Sequence, residues 1–328
     1  TRRCPLWVIV MDIVCSLREM EHLARQAGVQ VMRSYGTVTN IGKDITGKRN
    51  ITAYADAGHQ HEKSALSQVD EDVQATIMEA LAEKYTDCGI HCEESSQRID
   101  VLEARFAHVQ KLPARAYTFI VDPIDGTRNF LRTNPANVGP GEDSSKRDYF
   151  AVSIHLAQGK KIVAGVFYFP ALDVLLSTAT GQGTTLNGKK ITLPRNRSPQ
   201  FTDPVRVGKT VPQLAPLFSR NIGYGSSCGN LLALLSGDLT AYFVQEVDLL
   251  DFGCSGLAYR EAGGFVGDMY SRPVDEQDLI IEMKDEQGTP VILVRGFMGL
   301  TPTPEYHQRL MQMIIEKGID PAQVAARG

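Results

Sequence analysis

The 328-residue sequence lacks several features that would assign it to a special class of protein. None of its six cysteines form a C-x-x-C pair, and no internal repeats or low-complexity segments are present. The apolar stretch at residues 5–14 is too short to span a bilayer and is interrupted by Asp12. With 43% hydrophobic and 22% charged residues, the composition excludes a disordered chain, a collagen-like repeat and a disulfide-stapled miniprotein.

Neither sign of charge dominates the chain. It has 34 Lys and Arg against 38 Asp and Glu, which gives a net charge of −4. A mildly acidic total gives no global support for binding to nucleic acid or to an anionic membrane, so we expect neither as a partner. If the ligand is itself an anion, a bound cation has to reverse the local sign of charge, and a metal ion is the obvious candidate.

The cysteines and the N-terminus indicate an intracellular protein. In a chain of this length, cysteines without disulfide-like spacing are expected to be reduced thiols, so we predict a cytoplasmic location. Cys88 and Cys92, with His91 between them, offer an alternative metal site, although no second pair with zinc spacing accompanies them. Residues 1–10 are interpreted as a leader or an edge strand, because no signal-peptide cleavage site follows them.

Hydrophobic periodicity predicts two helices before the first long strand. An S-x-x-E capping box at Ser16 begins the first helix, and the second is predicted at residues 70–85. The apolar run at residues 117–121 lacks alternation, which predicts a strand buried on both faces. Two polar segments, residues 37–64 and 131–148, are predicted to be loops.

Three apolar runs between residues 149 and 179 predict an antiparallel meander, and Asn187-Gly188 marks a further hairpin turn. The proline-rich residues 194–204 are the candidate domain boundary. We therefore predict an N-terminal α+β lobe at residues 1–196 and a C-terminal α/β lobe at residues 197–328.

Helical patterns alternate with short apolar runs in the predicted C-terminal lobe. Ser226 and Ser227 suit the start of a Leu-rich helix that ends near Gly237. A second helix is predicted at residues 251–262, and Thr303 is the expected N-cap of the last one. The overall fold class is therefore α/β.

The most informative segment is D-P-I-D-G-T at residues 122–127, directly after the predicted buried strand. The carboxyl ends of strands are where open α/β folds place their ligand sites. Pro123 restrains the turn, so Asp122 and Asp125 return their carboxylates to one side while the carbonyl of Ile124 turns outward. Two carboxylates and a carbonyl suit Mg²⁺ or a similar hard cation. The free amides of the next two residues offer an anion site beside it.

Two further acidic sites are candidates to join this segment. Glu93 and Glu94 follow an apparent short strand at residues 89–92, although adjacent acidic residues are also typical of a solvated edge. Asp251 is expected at the N-terminus of its helix, where a carboxylate is equally favourable as a plain cap.

Together these segments resemble the signature of the inositol monophosphatase family, whose members are Mg²⁺-dependent, lithium-sensitive phosphomonoesterases. The resemblance runs from Ser16 to Ile315, and D-P-I-D-G-T-R-N-F at residues 122–130 is its most specific part. L-N-G-K at residues 186–189 and E-A-G-G at residues 261–264 are also similar to the family. The resemblance implies a layered α/β/α/β/α sandwich, of the type shared with fructose-1,6-bisphosphatase, and a homodimer.

The resemblance also implies roles for individual residues. The implied ligands of two or three Mg²⁺ ions are Glu93, Asp122, the carbonyl of Ile124, Asp125 and Asp251. The implied catalytic residues are Glu93 and Thr127, which orient the attacking water, and Asp70, which lies in the outer shell or helps to hold a third ion. The implied substrate-binding residues are Gly126 and Thr127, through their amides, and Ser226 and Ser227 on the leaving-group side.

Metal-assisted hydrolysis agrees with elementary chemistry. Hydrolysis of a phosphate ester needs charge neutralisation, an aligned water and a stabilised leaving alkoxide rather than covalent work by the protein. Paired metal ions provide all three. Asp122 also resembles the first residue of D-x-D phosphatases that form a phospho-aspartate, but the D-x-x-D spacing and the additional Glu93 and Asp251 argue against that mechanism.

The substrate side departs from the family pattern. Cys92 stands where a Gly usually precedes the Glu pair, and Leu250 stands where a Trp usually precedes the last metal Asp. Val244 aligns with a Glu that contacts sugar hydroxyls in inositol-cleaving members, and an Arg is missing from residues 221–224. Phosphatase chemistry is therefore better supported than inositol specificity.

The primary hypothesis is a Mg²⁺-dependent phosphatase of a small phosphorylated metabolite, with inositol monophosphate as the family default. Histidinol phosphate, fructose 1,6-bisphosphate and 3′-phosphoadenosine 5′-phosphate are the alternative substrates. A hypothesis of another class is a non-catalytic descendant that binds a phosphometabolite or a partner protein.

Overall fold

The computed structural model describes residues 12–38, 68–94, 97–106, 116–139, 143–194, 197–284 and 290–325. The N-terminal leader, Cys4 and nearly all of the loop predicted at residues 37–64 lie outside the described residues. Within the described ranges, no helix is both long and apolar enough to cross a membrane.

The described chain contains both helices and strands, with a long series of strands in its middle. The helices are α1 (Ile13–Met32), α2 (Gln68–Lys84), α3 (Gln97–Arg105), α4 (Thr127–Leu131), α5 (Ser227–Ser236), α6 (Leu249–Phe252), α7 (Ser255–Glu261), α8 (Pro304–Glu316) and α9 (Pro321–Ala325). The strands are β1 (Gly89–Cys92), β2 (Tyr117–Asp125), β3 (Ala151–Gln158), β4 (Lys161–Phe169), β5 (Val174–Ala179), β6 (Gly183–Leu186), β7 (Lys189–Lys190), β8 (Pro204–Val207), β9 (Arg220–Asn221), β10 (Ala241–Asp248), β11 (Phe265–Gly267), β12 (Ile280–Lys284) and β13 (Pro290–Thr301).

The first sheet contains β1 to β7 in sequence order. Strand β1 runs parallel to β2, and every later pair is antiparallel. This confirms the predicted meander. The predicted hairpin turn is also confirmed, because Asn187 and Gly188 join β6 to β7 with φ angles of 47° and 75°. Such left-handed conformations suit Asn and Gly in tight hairpin turns.

The second sheet has the order β11-β13-β10-β8-β9, with β12 also paired to β13. Strand β8 is parallel to both β10 and β9, and β13 is antiparallel to its partners. The strands of the two sheets fall on either side of the boundary predicted near residue 196, although the division into two lobes stays a prediction.

Three hydrophobic clusters stack the elements into layers. One joins α1 and α2 to the outer face of the first sheet, and another joins α8 to the outer face of the second sheet. The third lies between the sheets, where α5 and α7 pack against strands of both. The layers therefore follow the order α/β/α/β/α, as predicted.

The first helix begins earlier than its capping box predicts. Asp12 is the N-cap, because its carboxylate accepts hydrogen bonds from the amides of Val14 and Cys15 at 3.0 and 3.1 Å. The predicted cap, Ser16, is instead buried within α1, and its hydroxyl donates to the carbonyl of Asp12. A single carboxylate oxygen, Oδ1 of Asp12, accepts from both of these free amides.

The helix predicted at residues 251–262 is two short helices, α6 and α7. Asp248 caps α6 by accepting from the amide of Leu250 at 3.0 Å, so Asp251 lies in the first turn of α6 and not at its cap, which removes the alternative interpretation of Asp251 as a plain cap. The other caps are confirmed. Ser226 caps α5, Gly237 ends it with a φ of 88°, and Thr303 caps α8.

Candidate metal centre

The first two strands place acidic residues side by side. Strand β2 continues through Asp122 to Asp125, four residues beyond its predicted end. Strand β1 runs parallel to it, and the amide of Glu93 donates to the carbonyl of Val121 at 3.1 Å. Glu93 therefore follows the last residue of β1 at the level of Asp122 on β2, near the carboxyl ends of these parallel strands, the position where α/β sheets bind ligands.

Three aspartates converge from distant parts of the chain. Asp122, Asp125 and Asp251 each offer a carboxylate oxygen, and these oxygens all lie within 4.8 Å of one another. Asp251 arrives on α6, which packs against β2. Asp122 and Asp125 are buried, with 1% and 5% of their surfaces exposed. We call these three residues the aspartate cluster.

The carboxylates of the aspartate cluster are largely buried and repel one another. Burial raises the pKa of Asp122 well above its usual range, and the nearby carboxylates of Glu93, Asp125 and Asp251 raise it further. Asp122 and Glu93 also share a side-chain hydrogen bond. Burial raises the pKa of Asp125 as well, in spite of the hydrogen bonds that it accepts. A bound divalent cation relieves this repulsion, and an all-oxygen donor set fits a hard ion.

Thr127 and Asp70 form a second, adjoining contact. The hydroxyl of Thr127 lies 3.1 Å from the carboxylate of Asp70 and 3.0 Å from the carbonyl of Ile124. Asp70 is fully buried on the first turn of α2. The structure therefore brings three of the predicted site residues together, although more than fifty positions separate Asp70 from Thr127 in the chain.

The N-terminus of α5 is directed at the aspartate cluster. The amides of Ser227 and Cys228 donate to the two oxygens of Asp125 at 3.2 and 2.8 Å. Ser226 uses its hydroxyl as the N-cap, accepting from the amide of Gly229 at 2.7 Å. Gly126, with a φ of 85°, approaches so closely that a Cβ atom there would lie 2.6 Å from Cβ of Ser226. Only glycine fits this contact.

Two residues that support the site were missed by the sequence analysis. Asn129 donates to the carbonyls of Tyr149 and Tyr224 at 2.8 and 2.7 Å, which joins the loops on either side of Gly126. Gln74 exchanges two hydrogen bonds of 2.7 Å with the backbone of Glu94. Gln74 lies one helical turn after Asp70, so its spacing was the signal that could have found it.

The cysteine alternative is not supported. Among the residues that the structure describes, the aspartate cluster is the one group of three or more potential ligands with this proximity. Cys88 and His91 are buried in and before β1, and consecutive strand residues such as His91 and Cys92 point to opposite faces.

Comparison with known proteins agrees with this geometry. The family model described as "Inositol monophosphatase family" matches residues 20–292. The chain belongs to the inositol monophosphatase family. Members of this family with a similar sequence include an inositol-1-monophosphatase from Mesorhizobium japonicum, 27% identical over 77% of this chain and 85% of that protein. The Nus factor SuhB from Escherichia coli is 25% identical over 75% of this chain and 82% of its own length.

Solved structures of the family share the fold. An IMPase from Thermotoga maritima has a TM-score of 0.63 and 18% identity, covering 92% of this chain and 99% of its own. The extragenic suppressor protein SuhB from Bartonella henselae has a TM-score of 0.61 and 23% identity, covering 93% of this chain and 100% of its own. The layered architecture of this chain is therefore that of the family.

The side of the site formed by β8 and β10 differs most from the family pattern. Val244, at the position expected to hold a Glu, is 1% exposed and packs in the hydrophobic cluster between the sheets. Tyr242 lies two residues earlier on the same face of β10 and is paired with Arg206 on β8. Arg206 in turn lies against Gly223 in the adjoining loop. We call these four residues the β8–β10 wall.

Proposed function

We propose that the protein is a Mg²⁺-dependent phosphomonoesterase of a small phosphorylated metabolite. The observation that carries this proposal is the aspartate cluster, which gathers buried carboxylates from β2 and α6 within 4.8 Å. A buried group of like charges destabilises the fold unless cations neutralise it, so its presence favours a function that uses bound metal. Membership of a phosphatase family supports the same conclusion.

The proposed metal ligands for two or three ions are the aspartate cluster, Glu93 and the carbonyl of Ile124. When bound, Mg²⁺ supplies neutralisation of the phosphate charge and a lowered pKa of water. Ile124 offers only its backbone oxygen, since its side chain is 1% exposed and packs in the core. Four carboxylates and a carbonyl form an all-oxygen set, which Mg²⁺ prefers.

Thr127 is proposed to orient the attacking water together with Glu93. Because the hydroxyl of Thr127 donates to Asp70 or to the carbonyl of Ile124, its lone pairs are available to accept a hydrogen bond from the water. Asp70 thus acts as a positioning residue. Gly126 and Thr127 begin α4, and their amides are proposed to hold the phosphate oxygens.

Inositol monophosphate is the proposed default substrate, with histidinol phosphate, fructose 1,6-bisphosphate and 3′-phosphoadenosine 5′-phosphate as alternatives. A phosphate-release assay with these esters tests the proposal. We expect release that requires Mg²⁺ and is inhibited by Li⁺. No release from any ester in the presence of Mg²⁺ would contradict the proposal.

A pair of matched variants tests the metal assignment. Asp251→Asn is expected to lower turnover at least a hundredfold, because it removes a proposed ligand contributed by α6. Asp87→Asn is the control, since it removes an exposed carboxylate from the turn before β1. Equal activity of the two variants, with circular dichroism showing both folded, would refute the assignment.

A second candidate is a binding protein rather than an enzyme. It is favoured by the names of several relatives, which are called Nus factor SuhB. The retained carboxylates argue against it, because a pure binding module needs no full set of metal ligands. Binding of inositol monophosphate measured by calorimetry, together with no phosphate release from any of the esters, would favour this candidate.

A further inference from the structure

Arg206 faces the same side of the second sheet as the proposed active site. Strand β8 pairs with β10 in parallel register, with Arg206 opposite Tyr242. The flanking Val205 and Val207 pack on the outer face, in the cluster that includes Phe243. Since side chains alternate along a strand, Arg206 lies on the other face, which α5 and the aspartate cluster also occupy.

Among the described residues, no counter-ion accompanies the guanidinium of Arg206, which lies close against the protein. Arg206 is half-buried, and its Nε atom is buried with no hydrogen-bond partner among the described residues. None of the ion pairs within the described ranges involves it. Its Nη1 atom fills the space above Gly223, where a Cβ atom would lie 2.9 Å away. A partly desolvated cation of this kind is stabilised by an anion.

Tyr242 connects Arg206 to the aspartate cluster. Burial raises the pKa of Tyr242 to about 12, the charge of Arg206 opposes this rise, and Asp251 adds to it, so both charges act on the same hydroxyl. The ring of Tyr242 also packs edge-on against Phe252, the residue after Asp251 on α6, with the ring centres 5.9 Å apart. Arg206 therefore lies one strand away from the helix that carries Asp251.

The rest of the β8–β10 wall offers Arg206 no negative charge. Val244, the next residue of β10 on this face, is apolar and 1% exposed. Lys146 adds a second cation to the adjoining loop, where its Nζ lies 4.4 Å from the ring centre of Tyr224. Arg206 is therefore the one charged residue among the four of the β8–β10 wall, whereas the adjoining loop carries Lys146 and also has Asp238 near Tyr224.

We propose that Arg206 binds a second anionic group, a carboxylate or another phosphate, on the leaving-group side of the substrate. The proposal rests on the proposed phosphatase function and names the class of ester. A planar guanidinium can hold either anion through two parallel hydrogen bonds. A neutral polyol offers no such partner, so this inference ranks esters with a second anionic group, such as fructose 1,6-bisphosphate, above inositol monophosphate, the family default.

Two matched pairs of esters test this proposal. Glycerol 3-phosphate and 3-phosphoglycerate differ by a carboxylate, and fructose 1-phosphate and fructose 1,6-bisphosphate differ by a phosphate. With Mg²⁺ present, we expect at least one anionic member to have a kcat/KM at least tenfold above its neutral partner. The pair that shows the preference identifies which anion is used. A wild-type protein that hydrolyses the neutral members as well as the anionic ones overturns the proposal.

Variants at two arginines separate binding from folding. Arg206→Met is expected to raise the KM of the preferred anionic ester at least tenfold, with a much smaller effect on its neutral partner. Arg206→Lys, which keeps the charge, should restore part of the preference. Arg220→Met is the matched control, because it removes an exposed cation from the neighbouring strand β9. An equal loss on both members of a pair indicates a structural role and overturns the proposal.

The experiment distinguishes failure of the phosphatase proposal from failure of the proposed role of Arg206. If the wild-type protein releases phosphate from none of the esters, the phosphatase proposal fails, and isothermal titration calorimetry with the same esters and Mg²⁺ then measures binding directly. Tighter binding of an anionic member that Arg206→Met abolishes would still support the role of Arg206. Equal affinity for neutral and anionic members would overturn it.

Discussion

The aspartate cluster and the β8–β10 wall lie on two sides of the same site but differ in how closely they follow the family pattern. The cluster holds three of the four carboxylate ligands that the family resemblance implies, and neighbouring backbone amides hold one of them in place. The wall has Val244 in place of a Glu and contains Arg206, whose Nε atom has no hydrogen-bond partner among the described residues. Under the two proposals, the chemistry belongs to one element and the selectivity to another, so substitutions should change them independently.

The largest expected effect comes from breaking the cluster itself. Asp122→Asn should lower kcat at least a hundredfold, because the substitution removes one of the proposed metal ligands. In the presence of a chelator, the same variant should melt at a higher temperature than the wild type. The substitution removes one of several buried carboxylates that repel one another, which should stabilise the fold by about 1 kcal/mol. A phosphate-release assay and a thermal melt measure the two effects. A lower melting temperature in chelator would contradict the repulsion argued here.

The contact between Thr127 and Asp70 should have the next largest effect. Thr127→Val and Asp70→Asn are each expected to lower kcat about ten- to a hundredfold, as is usual for groups that position a reactant. Because the two side chains act through one hydrogen bond, the double variant should lose little more than either single variant. Thr127→Ser keeps the hydroxyl and is the control. Multiplicative losses in the double variant would show that the residues act separately.

A carboxylate introduced into the β8–β10 wall tests whether the charge of Arg206 sets the preference for anionic esters. Val244→Glu places an anion on the same face as Arg206, so the two side chains should pair and compensate each other. We expect the preference for anionic esters to fall about tenfold while kcat on neutral esters is retained. Val244→Gln has nearly the same shape without the charge and is the control. The same shift in both variants would point to shape rather than charge.

The last expected effect is on stability rather than on activity, and it leaves the site alone. His155 on β3 is buried in the same sheet as the cluster, without a hydrogen bond to either ring nitrogen among the described residues. Burial lowers its pKa from 6.5 to about 3, so the unfolded chain binds a proton between these values while the folded protein does not. This residue therefore stabilises the fold less as the pH falls from 6.5 towards 3.

Urea unfolding at a series of pH values measures this effect. Relative to the wild type, His155→Leu should gain about 1.4 kcal/mol of stability for each pH unit between 6 and 4. His22→Gln, at an exposed position on α1, is the control and should show no such trend. A stability difference that is independent of pH would show that His155 does not resist protonation.

Much of the fold and of the site follows from local sequence. Three apolar runs separated by turn residues predicted the meander, the Asn187-Gly188 pair predicted a further hairpin turn, and the D-P-I-D-G-T segment predicted the site at a strand end. Errors occurred where two local signals competed. Asp12 and Ser16 are both suitable N-cap residues, and so are Asp248 and Asp251. The residue types alone do not decide which side chain lies next to the free amides; in the structure it is Asp12 and Asp248.

The sequence by itself determined which residues carry the charge and where the strands turn, because short-range backbone preferences and residue chemistry decide both. Only the tertiary structure decided that Asp251 meets Asp122, that Asp70 meets Thr127, and that α5 directs its amides at Asp125. It also decided that Arg206 lies beside Gly223 on the face of the site. These contacts join residues from separate layers, and their geometry depends on how two sheets pack around the helices between them.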